Sequence, residues 1–347
     1  MIFNIIFIML AIISLNNKNK KLFLLICFIL LIMSCFREKH IGVDSISYYE
    51  YGEILEKMSF NQVLINNIWV EKGYSFYSKL IMILGEPYFI LLITSLITLI
   101  IIYRFCYIYS ANYIYSLFLF QGLMYYYDTM NILRQYLAVS ICLLAYRSLL
   151  TNNKVKFAIM IIIAYFFHKT SIIFLLLYII KDIKLTKKRI KIIIILVLVI
   201  YLSISKLLTI VTTIFPFYRN YLELEHYNDF NLGNRIFFIK DLILGFWLYS
   251  LEFFKTREER IQMWIVILAT TISFFSIKLG ILLRMQLYFS IFYIVIIPNA
   301  IYSQKSKLSV VKLKIIGIIL IILYHSLFFW LKKEWYLVYP YKSFLFE

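Results

Sequence analysis

The chain has 347 residues, 63% of them hydrophobic and only 16% charged, with 9 Gly and 4 Pro. Ordinary soluble domains are near half apolar and a quarter charged, and apolar runs recur here from end to end, which excludes a soluble enzyme and leaves an all-α, polytopic membrane bundle. The formal net charge of +18 does not point to nucleic acid, because the lysines and arginines flank apolar segments instead of forming a separate basic-aromatic patch.

In chain order, the predicted crossings are 1–15, 21–36, 80–103, 105–125, 131–147, 157–167, 170–180, 191–215, 236–254, 261–277, 279–297 and 313–331, or about 10–12 segments in one transmembrane domain, 1–347. The first has no basic residue before it and no small-residue cleavage site, so it reads as an uncleaved helix. Cys27, Cys35, Cys106 and Cys142 lie in or beside apolar runs with no metal or redox spacing. Five cation clusters follow: Lys18 to Lys21, Arg147 to Lys156, Lys181 to Lys191, Lys255 to Arg260 and Lys305 to Lys314. Assigning all five to the cytoplasm alternates correctly if both termini face outward. The loops 37–79, 125–133 and 216–235 then share the outer side. Cation clusters flank 157–180 on both sides, so this stretch must leave and return. Two arms of ~18 Å do not comfortably cross ~30 Å. A re-entrant or thinned hairpin is expected, with its "HKTS" tip buried in protein.

Polar residues inside this greasy chain carry the functional information. In the first outer loop, "REKHIGVDSISYYEYGEILEK" spaces Asp44, Tyr48 and Tyr51 at i, i+4 and i+7. "VEKGYSFYSKL" then sets Glu71, Gly73 and Tyr74 before the third crossing. Carboxylates beside exposed tyrosines hold sugars by hydrogen bonds and ring stacking; they suit an interfacial amphipathic helix equally well. In "TMNILRQYLAVSICLLAY", Asn131, Arg134, Gln135, Ala138, Cys142 and Ala145 fall on one stripe, polar at the mouth and small below it, which turns the face into the bundle. An inward arginine needs an anionic partner or a ligand; the other reading has Arg134 reach lipid phosphate or pair with Asp128. His168, in "AYFFHKTSIIF", is either a structural helix-end histidine or a neutral imidazole able to take a proton from a hydroxyl.

Further on, "PFYRNYLELEHYNDFNLGNRIFF" carries Arg219, His226 and Arg235 among aromatics. Arg284, with Tyr288 one turn away, lies within "GILLRMQLYFSIFYIVIIP". A charge so placed costs at least ~2.5 kcal/mol in lipid and should face the protein, against a ligand or against Glu252 or Asp241. Arg134, Arg219, Arg235 and Arg284 all fall near the outer face, where the positive-inside rule does not ask for them. Guanidinium forks match phosphate, so this set points to a diphosphate headgroup. There is no Walker loop, HExxH, nucleophile elbow or Asp-rich metal motif, and a reaction without metal or cofactor is expected.

"NILRQYLAVSICLLAYRSLL" followed by "AYFFHKTSIIFLL" resembles the core signature of the EpsG family, the Wzy-like polymerases of exopolysaccharide, capsule and O-antigen. "REKHIGVDSISYYEY", "EKGYSFYSKL" and "RMQLYFSIFYIVIIP" are similar to its first-loop and C-terminal arginine-helix patterns. The similarity spans roughly residues 37 to 300. It implies a multi-pass glycosyltransferase of the cytoplasmic (inner) membrane, with its site facing outward. Its substrate would be a polyprenyl-diphosphate-linked oligosaccharide met among membrane lipid, and a flippase and a chain-length regulator of the pathway are candidate partners. The matched positions are Asp44, Glu71, Asn131, Arg134, Gln135, His168 and Arg284. On this expectation His168, Arg134, Asp44 and Glu71 carry the chemistry. Arg284, Asn131, Gln135, Arg235, Arg219, Tyr48, Tyr51 and Tyr288 hold the substrate. A flippase or exporter would need polar groups near the midplane and access from both faces. A membrane acyltransferase would not call for the arginine set, whereas an O-antigen ligase shares nearly all the same physics.

Overall fold

The computed structural model describes residues 2–16, 19–65, 70–214, 232–331 and 336–344. The described residues are helical throughout, apart from turns and an isolated antiparallel bridge between Arg37 and Ser343. In chain order the helices are α1 (Ile2–Asn16), α2 (Lys20–Cys35), α3 (Ser45–Glu56), α4 (Phe60–Ile65), α5 (Lys72–Ile81), α6 (Tyr88–Tyr109), α7 (Tyr113–Gly122), α8 (Tyr125–Asn131) and α9 (Leu133–Leu150). Then come α10 (Lys154–Phe167), α11 (Leu175–Ile180), α12 (Lys187–Ile214), α13 (Leu232–Ser250), α14 (Arg257–Ser276), α15 (Leu282–Ser290), α16 (Tyr293–Tyr302) and α17 (Lys307–Leu331). Tyr88–Tyr109 and Lys307–Leu331 are, each by itself, long and apolar enough to cross a bilayer. The all-α architecture expected from the sequence is the one observed.

Polar side chains cap several of these helices. Asn19, Asn112 and Asn153 cap α2, α7 and α10 with their side-chain oxygens, and Thr256 with Glu259 forms a full capping box on α14. The expected crossing 80–103 is divided. A 3₁₀ turn at Met82–Leu84 ends on Gly85 at φ 99°, and Pro87 precedes α6, so the first apolar residues belong to the loop helices. The expected helix from 131 is also broken. Met124 at φ 73° and Ile132 outside the helical region isolate α8, and Asn131 ends that helix instead of opening the next. The stretch 157–180 breaks at His168, which is extended (φ −156°, ψ 114°), and continues as a 3₁₀ turn over Lys169–Phe174.

The chain packs as two compact units, Met1–Ile172 with Tyr293–Glu347, and Ile173–Phe292. In the first unit, the loops after α1, α6 and α16 meet at one end. Asn112 Nδ2 donates to Ser14 O at 3.5 Å and to the Tyr302 hydroxyl at 3.0 Å, and Asn299 Oδ1 accepts from Ala111 N at 2.8 Å. Tyr146, near the C-terminal end of α9, packs edge-on against Tyr109 at the same end. The described residues of three cation clusters therefore gather there, around Lys20 and Lys21, Arg147 to Lys156 and Lys305 to Lys314. Arg37, Asn131 and His168 lie toward the opposite ends of their helices. Within this unit α9 is the central pillar, with Leu144 and Arg147 alone exposed along its length.

Two glycines allow close approaches at the end far from the cations. Gly42, at φ 98°, lies where a Cβ would be 2.7 Å from Met130 O and 3.0 Å from Asn131 Oδ1. A Cβ on Gly73 would sit 2.5 Å from Phe166 O. Gly73 thus lets the start of α5 rest against the end of α10. In the second unit, a Cβ on Gly245 would meet Val266 and Thr270 at ordinary distances of 3.6 and 3.7 Å. Gly73→Ala should therefore cost about 1–3 kcal/mol of stability by forced separation. Gly245→Ala should be neutral or stabilise by up to about 1 kcal/mol through helix propensity. Thermal unfolding of the two variants in detergent measures the contrast.

Candidate functional site

The fold brings three separated segments to one carboxylate. Glu71 precedes the first residue of α5, Arg134 lies in the first turn of α9, and His168 ends α10. Arg134 Nη1 is 2.6 Å from Glu71 Oε2, with side-chain exposures of 16% and 13%. Glu71 Oε1 accepts the backbone N–H of Lys169 at 3.2 Å. One carboxylate therefore holds the guanidinium and the turn next to the histidine. At that turn His168 is buried, and its Nδ1 is 2.7 Å from Thr170 Oγ1. Ser171 is buried as well, whereas Lys169 is exposed. The partner of Arg134 is thus Glu71, not Asp128, which instead accepts from the Tyr136 hydroxyl at 3.3 Å.

The first loop closes over the same end. Asn131 is buried, and its Oδ1 accepts Val43 N at 2.6 Å; Ser45 Oγ donates to Met130 O at 2.9 Å. Asp44 is half-buried at the start of α3. Asn131 here fastens the loop that carries Asp44, a role that sequence spacing did not indicate. Gln135 is buried in α9 beside these residues.

Two sequence expectations change at the tyrosines. Tyr48 and Tyr51 are buried, not exposed, and pack in a cluster with Tyr74, Val63, Leu133 and Leu137. The i, i+3 face of α3 that carries them is its core face, so their rings are spent on packing: Tyr48 meets Tyr74 edge-on at 5.9 Å. The Tyr48 hydroxyl still reaches the Arg134 backbone N–H at 3.5 Å. Burial pushes the Tyr51 pKa up, against the opposing pull of Ser75 and Arg134, and raises that of Tyr74 well above the usual phenol value. Both phenols stay neutral near pH 7 and do not serve as bases.

Arg37 is the residue that sequence reasoning missed. It is fully buried, and all its side-chain hydrogen bonds go to neutral oxygens. Nε donates to Ile41 O at 3.2 Å; Nη1 donates to Ser34 O and to Ser95 Oγ at 2.9 Å; Nη2 donates to Met130 O at 3.2 Å and Ser45 Oγ at 3.4 Å. It ties α2, α6, the first loop and the end of α8 together. The available signal was a cation closing an apolar run on the side that charge bias assigns to the outside, the same anomaly that singled out Arg134.

In the second unit Arg284 is exposed, contrary to the inward placement expected of it. Gln286, two residues on, takes the inward position: its Nε2 donates to Asp241 Oδ2 at 2.7 Å and its Oε1 accepts from Ser290 Oγ at 3.1 Å. Asp241 is fully buried, with Lys240 Nζ 3.3 Å from Oδ1. Glu252, the other partner considered for Arg284, pairs with Lys187 at 2.7 Å and Lys255 at 3.4 Å. Tyr288 is fully buried and Arg235 is exposed on α13. Arg219 and His226 lie outside the described residues. Among the described residues, no three His, Cys, Asp or Glu side chains converge as a metal would require.

The Arg134–Glu71 pair is screened from most water, so breaking it from one side leaves a charge without its partner. Glu71→Gln should lower stability by about 2–3 kcal/mol, and the double variant Glu71→Gln/Arg134→Gln should be less destabilised than the single. Melting of the three proteins in detergent forms the cycle that checks this.

Neither a curated protein nor a solved structure matches the chain. The model of the EpsG family matches residues 20–343, which takes in every helix from α2 to α17. The chain belongs to the EpsG family and is a membrane protein of polysaccharide biosynthesis.

Proposed function

We propose that this protein is a polysaccharide polymerase, joining polyprenyl-diphosphate-linked oligosaccharide repeats at the outer face of the cytoplasmic membrane. The observation that carries the reading is the convergence of Arg134 and the His168 turn on Glu71. A guanidinium paired with a carboxylate beside a histidine offers an anion-binding group and a proton acceptor at one place. These are the two functions that metal-independent glycosyl transfer from a diphosphate needs. The orientation is supported within the first unit, where this site lies at the end away from three cation clusters, the end that charge bias assigns to the outside.

In the proposed reaction an acceptor sugar hydroxyl attacks the anomeric carbon of the donor. The new glycosidic C–O bond forms as the bond to the diphosphate breaks, and the leaving diphosphate takes the electron pair. Arg134 exchanges part of its contact with Glu71 for the diphosphate and meets the charge that develops on it. His168 takes the hydroxyl proton at Nε2, in the tautomer whose Nδ1–H donates to Thr170 Oγ1. Asp44 and Glu71 are the other carboxylates placed to orient acceptor hydroxyls. Arg284, exposed on α15, belongs to the other unit, and its part in the same reaction rests on the family pattern alone.

Arg134→Lys keeps the charge and loses the fork. In cells expressing the variant at the normal level, polymer should fall about tenfold or more, with single repeats accumulating on lipid. Full-length chains would exclude the bidentate role. An absence of repeats at the outer surface in a deletion strain would point to transport instead.

A further inference from the structure

The second unit contains an apolar groove of about 440 Å³ between α12, α13 and α14. Ile194, Leu198, Phe246, Val266 and Phe274 line it, and Gly245 lies on its wall. From Met263 to Phe274 the lining spans roughly 17 Å along α14, long enough for most of an extended acyl chain. Its two ends differ in charge. Lys191 and Tyr249 line the end at which α12 and α14 begin and α13 finishes, the end from which the 181–189 and 251–260 segments lead away.

At this end every nearby carboxylate is engaged. Asp182 pairs with Lys181 and with Arg257 at 3.4 Å; Glu252 pairs with Lys187 and Lys255; Glu259 accepts from the backbone N–H groups of Lys255 and Thr256; and Glu258 accepts from Gln262 at 3.5 Å. Lys188 and Lys191 have no carboxylate among the described residues, and Lys191 is exposed at the mouth. An apolar slot with unmatched lysines at one end fits an amphiphile with a hydrocarbon chain and an anionic head.

We propose that this groove binds an anionic phospholipid, with an acyl chain between α12 and the α13–α14 pair and the phosphodiester at Lys191 and Lys188. Lysines act here as point charges toward a single phosphodiester, unlike the guanidinium site proposed for a diphosphate. The same segments are those that charge bias assigns to the cytoplasmic side, where anionic phospholipid is met. Gly245 supports the role independently. A Cβ there meets nothing closer than 3.6 Å, so packing against α14 does not require glycine, yet a large side chain would fill the slot.

The test is native mass spectrometry of the full chain purified in detergent and supplied with equal phosphatidylglycerol and phosphatidylcholine of the same acyl length. Phosphatidylglycerol should be retained about fivefold over phosphatidylcholine, and Lys191→Glu should remove most of that preference. Gly245→Phe should lower retention of both lipids, whereas Gly245→Ala should retain them as the unaltered chain does. If Gly245→Phe is not monodisperse, Thr271→Phe fills the same slot. Equal retention of the two lipids, undiminished retention in the filled variants, or displacement of phosphatidylglycerol by equimolar undecaprenyl phosphate would overturn the proposal.

Discussion

The contact between Glu71 and Arg134 organises the end of the first unit that lies away from its cation clusters. A carboxylate and a guanidinium removed from most water are costly apart and tolerable together. Here the carboxylate has a second acceptor oxygen, and the chain uses it for the Lys169 N–H. The consequence is positional. Segments nearly a hundred residues apart in sequence, the start of α5 and the end of α10, are brought together by the oxygen atoms of one side chain. Gly73 makes this possible by removing the Cβ that would collide with the Phe166 carbonyl. Local backbone choice and long-range electrostatics thus act on the same junction between α5 and α10.

Around that contact the loop 36–45 is fixed chiefly by hydrogen bonds to backbone. Arg37 and Ser45 both reach the Met130 carbonyl, and Asn131 takes the Val43 N–H. The break at Ile132 frees such groups: when α8 ends and α9 begins afresh, carbonyl and side-chain oxygens near the junction are available to the loop. An uninterrupted helix from Met124 onward would keep those carbonyls within its own ladder. The interruption is therefore part of how the loop is held.

Much of this was legible in the sequence because a bilayer leaves few alternatives to the helix. Apolar run length found the helices, and cation clusters found the loops. The signature residues Glu71, Arg134 and His168 stood out because polar groups in apolar sequence need reasons. What escaped was local geometry. A single polar stripe needs one helix through Asn131 and Arg134, whereas the break at Ile132 places them in two. Tyr48 and Tyr51 have spacing that fits either face of a short helix, and only packing against Tyr74 and Leu137 decides that they are core. Arg284 and Gln286 are two residues apart, so helical rotation separates their faces; the buried acceptor at Asp241 selects the amide and leaves the guanidinium outside.

The neutral shell of Arg37 has an electrostatic consequence of its own. Ion pairing cancels the field of Arg134 at rest, but the carbonyls and hydroxyls around Arg37 only solvate its charge. A whole positive charge therefore remains inside this end of the unit while the nearby ion pair looks neutral from a distance. An approaching anion would feel this buried potential before it disturbs the Glu71 contact, much as a charged wall attracts through a thin insulator. For the diphosphate donor proposed above, the resting site is in that sense already polarised, by a residue too deep to touch it.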